Sequence, residues 1–134
     1  MAGYSGTPLV TKLGIKAGFS VLILGAPVGF SDLLDLPPEV RITSRRGKGP
    51  YDVILYFTKS RAAFEKDLAK LRKIMAPACG LWICWPKKAS KVPTDMTEDV
   101  VREVALPTGL VDNKVCAVDE TWSGLRLVIR KELR

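Results

Sequence analysis

The sequence predicts an α/β domain built on a mostly parallel sheet. Residues 52–57 and 81–85 are near-continuous apolar runs, Asp-Val-Ile-Leu-Tyr-Phe and Leu-Trp-Ile-Cys-Trp. Between them, residues 60–76 place Phe64, Leu68, Leu71 and Met75 at helical spacing. Two buried strands joined by one amphipathic helix form a crossover unit, whose strands run parallel and are covered on both faces.

The remaining elements follow in chain order. Residues 20–24, after Gly18, make the first strand, and residues 25–29 make a glycine-containing turn. Residues 30–36 suit a short helix with Phe30, Leu33 and Leu34 inward, ended by Pro37 and Pro38. Residues 40–43 alternate apolar and polar, as a half-buried strand at a sheet edge does. The next strand starts eight positions after Ser44, too soon for another helix and strand.

Ser60 suits the N-cap of the crossover helix, Lys66, Lys70 and Lys73 its solvated face, and Pro77 and Gly80 its end. After a polar loop at 86–96, Asp95 followed by Glu98 fits a helix start. That helix turns Val100, Val101, Val104 and Ala105 inward and closes at Pro107 and Gly109. Strands at 110–118 and 125–131 are joined by the short turn 119–124, so they are antiparallel. The expectation is a single three-layer domain over 1–134 with about six strands, the last one antiparallel. Residues 1–17, with Tyr4, Ser5 and Thr7, are expected to dock onto it as an N-terminal segment.

Composition narrows the chemistry. At 134 residues the chain is one domain. It has no histidine, which excludes imidazole triads and Cys/His zinc sites. Its three cysteines, Cys79, Cys84 and Cys116, form no CxxC pair and read as reduced core thiols. No apolar run approaches the ~20 residues that span a bilayer, and the first residues lack a basic-then-apolar leader. A cytoplasmic protein with no membrane partner, no metal and no catalytic residue is therefore expected. The net charge of +7 points to an anionic partner: a small molecule, an acidic protein or a nucleic acid.

In a parallel sheet, ligands bind beyond the carboxyl ends of the strands. The loops there carry Gly25, Pro27 and Gly29, then Arg45, Arg46 and Lys48, then Lys59, Ser60 and Arg61, then Lys87, Lys88 and Lys91. The turn at 119–123 adds Trp122 to the same edge. The helix starting at Ser60 would add partial positive charge. This gathers an anion site for phosphate, a nucleotide or a carboxylated ligand; the plainer reading is a solvated basic rim. Asp119 and Glu120 beside Trp122 suggest an acid pair under an aromatic lid, or, more simply, partners of Lys87 or Lys88. Trp85 and Trp122 could stack a ring, although Trp82 and Trp85 more simply fill the core.

The order of elements, with residues 18–29 as first strand and glycine loop, 52–55 as a later strand and 71–80 as a helix end, resembles a class I S-adenosylmethionine-dependent methyltransferase. The resemblance covers residues 18–131 and implies a truncated Rossmann-like fold lacking the third strand and its helix. It implies a cofactor position at the 25–29 loop, but the sequence departs from the family there. Ile23 stands where the family has an acidic residue, Pro27 replaces the loop's middle glycine, and Thr43-Ser44-Arg45-Arg46 replaces a carboxylate that grips the ribose. No cofactor is therefore expected.

Residues 4–9, 85–90 and 119–126 also resemble a family of short bacterial proteins known as a domain of unknown function, which implies no reaction. The expected function is non-catalytic binding of an anionic ligand or acidic partner in a basic cleft. The alternatives are a divergent methyltransferase and a nucleic-acid-binding protein; aromatics at 7% and the lack of a nucleic-acid motif argue against the last.

Overall fold

The computed structural model describes residues 7–134. Six strands, β1 (Ser20–Leu24), β2 (Arg41–Thr43), β3 (Tyr51–Phe57), β4 (Met75–Pro86), β5 (Leu110–Ala117) and β6 (Trp122–Ile129), form one sheet in the order β2-β1-β3-β4-β6-β5. β2, β1, β3 and β4 pair in parallel, and β6 is antiparallel to both β4 and β5. The chain leaves β1 for β2 on one side and returns to β3 on the other, so strand order reverses at β1.

The pleat sorts the core into two layers, because successive side chains of a strand point to opposite faces. Leu22, Ile54, Tyr56, Leu81, Ile83, Leu125 and Leu127 face α2 (Arg61–Lys73) and α3 (Glu98–Ala105), which bury Phe64, Leu68, Leu71, Val101 and Ala105 against them. Val21, Ile23, Val53, Leu55, Phe57, Trp82 and Cys84 face the other way. That face is covered by α1 (Leu9–Lys12) and a 3-10 turn at Phe30–Leu33, through Val10, Leu13, Ile15, Phe30 and Leu34. The fully buried Trp82 donates its indole N–H to the Leu13 carbonyl at 3.0 Å, which fixes the α1 segment to the centre of the sheet.

Several boundaries differ from the sequence expectation. α2 stops at Lys73 rather than 76, since Pro77 has no N–H to continue the helix, and Met75 already pairs with Tyr51 at the start of an extended β4. The 30–36 helix is only the four-residue turn. Leu34 beyond it is extended and takes the buried place, while Leu33 is 53% exposed. α3 is capped by Thr97, whose Oγ1 accepts from the Val100 N–H at 3.1 Å. Asp95 lies two residues too early for that and accepts from the Arg61 N–H at 2.7 Å, capping α2 instead. β6 begins at Trp122 and ends at Ile129. Tyr4 and Ser5 lie outside the described residues, and Thr7 is exposed. Among the described residues no helix is long and apolar enough to cross a membrane.

Candidate functional site

The carboxyl ends of β1, β3 and β4 meet at one edge. β1 leaves the sheet through Gly25, at φ 71°, and a Cβ there would stand 2.6 Å from the Phe57 carbonyl oxygen. Glycine is required twice over, for the left-handed backbone and for the close crossing over the end of β3. Gly29, at φ 81°, then starts the 3-10 turn.

Between these glycines and β2 lies a cleft of about 340 Å³ lined by Ile23, Gly25, Ala26, Pro27, Gly29, Phe30, Ser31, Ile42 and Ser44. It opens sideways because β2 ends at Thr43, level with Leu22, two residues short of the end of β1. The lining is apolar apart from backbone groups and the Ser31 and Ser44 hydroxyls, and none of its side chains is charged. Phe30 packs edge-on against Phe57 with ring centroids 5.0 Å apart, and Phe57 packs edge-on against Trp122 at 5.2 Å. Trp122 is buried in this stack. It supports the loop from within and does not form a lid, because its first-strand position in β6 aims it at the core.

The basic residues expected to share this edge separate into groups. The Gly47 N–H donates to the Tyr51 hydroxyl at 2.9 Å, so the chain after Arg45 and Arg46 has turned back toward the start of β3 and carries Lys48 away with it. β2 and β4 are three strands apart, about 14 Å at the usual strand spacing, which separates Arg45 and Arg46 from Lys87 and Lys88. Arg61 is taken by Glu65 at 3.4 Å and Glu103 at 3.0 Å, tying α2 to α3. Lys59, Lys87, Lys88 and Lys91 remain at the ends of β3 and β4, without an ion-pair partner among the described residues.

The start of α2 is internally satisfied. Ser60 Oγ accepts from the Ala63 N–H at 3.1 Å, and Asp95 takes the Arg61 N–H. The expected anion position at this helix end is thus filled by the protein's own carboxylate. Lys87 donates its backbone N–H to the Thr121 carbonyl at 2.8 Å, which joins the β4 exit to the 119–121 turn. Asp119 Oδ1 accepts from the Thr121 and Trp122 N–H groups at 2.8 and 2.7 Å. It is a turn-forming carboxylate, and no ion pair joins it to Lys87 or Lys88.

The thiols are kept protonated. Burial pushes Cys79 up to about 12, Cys84 well above the usual thiol range, and the half-buried Cys116 upward as well. Tyr56 is likewise raised, by burial first and then by the Asp67 carboxylate that accepts its hydroxyl proton at 2.7 Å.

Sequence reasoning located Gly25, Pro27 and Gly29 but missed Phe30, Ser31, Ile42 and Ser44 as walls of the same cleft. The available signal was the length of the second strand. A three-residue strand leaves Ser44, and the exposed face of Ile42, beside the end of the first.

No protein-family model matches the sequence, and no curated protein does. Solved structures do match. A SAM-dependent methyltransferase from Aquifex aeolicus superposes with a TM-score of 0.60 at 15% identity, covering 90% of this chain and 88% of that one. Magnesium protoporphyrin IX methyltransferase from Synechocystis, solved with bound SAM, gives 0.58 at 11% identity over 84% and 71%. A tRNA methyltransferase of B. subtilis, TrmK, gives 0.58 at 13% identity over 92% and 65%. The chain has a methyltransferase-like, Rossmann-like fold. At these identities the likeness is one of fold.

Proposed function

We propose that the cleft beside β1 takes an S-adenosylmethionine-class ligand, and that the chain is a divergent methyltransferase-type protein. The observation that carries this reading is the Gly25–Phe57 crossing, which builds an open cleft at the point where strand order reverses. That is where sheets of this kind bind their ligands. The cleft's volume lies within the range of small-molecule sites. Backbone groups of residues 25–29 and the Ser31 and Ser44 hydroxyls offer hydrogen bonds, and Ile23, Phe30 and Ile42 offer apolar contact. Lys59, Lys87 and Lys88, at the ends of β3 and β4, would face an anionic methyl acceptor.

The affinity should be low. The family's carboxylate anchors are replaced by Ile23 and by the 43–46 segment, and two lost charge-assisted hydrogen bonds at ~1.5–3 kcal/mol each weaken binding by roughly a hundredfold or more. A second reading, binding of an anionic ligand without catalysis, is favoured by Lys59, Lys87, Lys88 and Lys91, which have no ion-pair partner among the described residues. Titration with S-adenosylhomocysteine followed by amide NMR tests both. Shifts centred on Gly25, Gly29, Ser31 and Ser44 support the first reading. Shifts confined to Lys87 and Lys88 with added nucleotide, and none with S-adenosylhomocysteine, support the second.

A further inference from the structure

A second pocket lies at the opposite edge of the sheet, by the amino ends of β1 and β3. It has a volume of about 410 Å³, and Lys12, Lys16, Lys114 and Arg126 line it together with Asp52. Three features set it apart from a solvated basic surface. Lys114 and Arg126 are direct cross-strand partners on β5 and β6, so their side chains leave one face of the sheet side by side. Like charges placed this way are destabilising unless something compensates them.

The second feature is the seat of Arg126. Its guanidinium lies over Gly80 of β4, where a Cβ would stand 2.5 Å from Nε and 3.0 Å from Cζ and Nη2. Gly80 has no left-handed backbone to explain it, so the missing side chain serves as space for the cation. The third is that no carboxylate among the described residues pairs with Arg126, although Asp52 lines the same pocket. Arg126 is half-buried and has no ion pair among the described residues. Desolvation depresses its proton affinity, and Arg134 adds further repulsion. The neighbouring Cys79 thiol is held neutral, and Asp52 directs Oδ2 to the Ser20 N–H at 2.8 Å.

We propose that this pocket binds the phosphate group of a phosphorylated small molecule, with Arg126 as its principal anchor and Lys114 and Lys16 completing the charge. A guanidinium fork beside ammonium groups suits a multiply charged oxyanion, and the volume leaves room for more than free phosphate. The site is distinct from the β1 cleft, which lies on the same face of the sheet but at the carboxyl ends of its strands.

Calorimetry with inorganic phosphate and with ribose 5-phosphate at low salt tests this. The wild type should bind both at a single site, ribose 5-phosphate more tightly. Arg126→Gln should weaken binding at least tenfold. Gly80→Ala keeps the charge but displaces the guanidinium, and should also weaken it severalfold with the circular dichroism spectrum unchanged. Lys66→Ala/Lys70→Ala, on the exposed face of α2, should leave it unaltered. If Arg126→Gln does not fold, Gly80→Ala and Lys114→Gln decide the matter. Binding that survives the substitutions at Arg126, Gly80 and Lys114, binding lost instead in the Lys66/Lys70 variant, or no binding by the wild type overturns the proposal.

Discussion

Gly25 and Phe57 meet backbone to backbone at the end of two parallel strands, with 2.6 Å between a would-be Cβ and the Phe57 carbonyl oxygen. Gly25→Ala should therefore cost about 1–3 kcal/mol from the positive φ alone, and more from the contact with a carbonyl that belongs to a buried strand. Urea denaturation would show a lowered midpoint with unchanged slope. A variant as stable as wild type would mean that the loop relaxes freely and the crossing does not define the cleft.

Trp122→Ala removes a buried indole from the stack with Phe57 and Phe30. Deleting such a group costs about 3–5 kcal/mol. Thermal unfolding should drop accordingly and the near-UV spectrum should lose intensity. If Trp122 were a surface lid, stability would hardly change.

Much of the fold was legible because burial leaves a periodic trace. β3 and the second half of β4 are buried on both faces and read as unbroken apolar runs, while α2 shows its stripe of Phe64, Leu68 and Leu71. What was not legible depends on contacts between distant segments. Asp95 looked like a cap for the helix that follows it, yet it is 34 residues from the Arg61 N–H it accepts. The basic residues looked like one edge cluster because sequence gives the end of each strand but not the path of the loop after it. The Gly47–Tyr51 bond that draws the chain back past Arg46 is such a path. The cleft walls at Ile42 and Ser44 depended on where β2 stops, which is a matter of register.

Arg102 holds Asp112 at 2.9 Å and is also paired with Glu98. The hydrogen bond from Arg102 keeps the Asp112 carboxyl below its ordinary range. Because the folded value is depressed, this stabilisation is present above the unfolded pKa and is lost as pH falls through the folded one. Asp112→Asn should thus be less stable than wild type at neutral pH, by no more than about 1 kcal/mol for a partly exposed pair. The gap should close as pH falls through the folded value. A gap that persists below it would assign the loss to packing rather than charge.

Lys87 and Lys88 sit where β4 leaves the sheet, with the Lys87 backbone already fixed by Thr121. Lys87→Ala/Lys88→Ala should change unfolding free energy by no more than about 0.5 kcal/mol per site, since Lys88 is exposed, Lys87 is only partly buried, and surface side chains outside the core contribute little. Retention on a polyanion, heparin or single-stranded DNA, should fall, and fall more at low salt than at high salt. Equal retention of wild type and variant would remove this rim from consideration as a partner surface.

Calorimetry with S-adenosylmethionine on wild type and on Ser31→Trp, which fills the cleft while leaving the sheet intact, decides whether the β1 cleft holds an S-adenosylmethionine-class ligand. The wild type should bind weakly and one-to-one, with a dissociation constant of about 0.1–1 mM, and Ser31→Trp should not bind. No binding to the wild type at millimolar ligand, or equal binding to both proteins, would contradict the proposal.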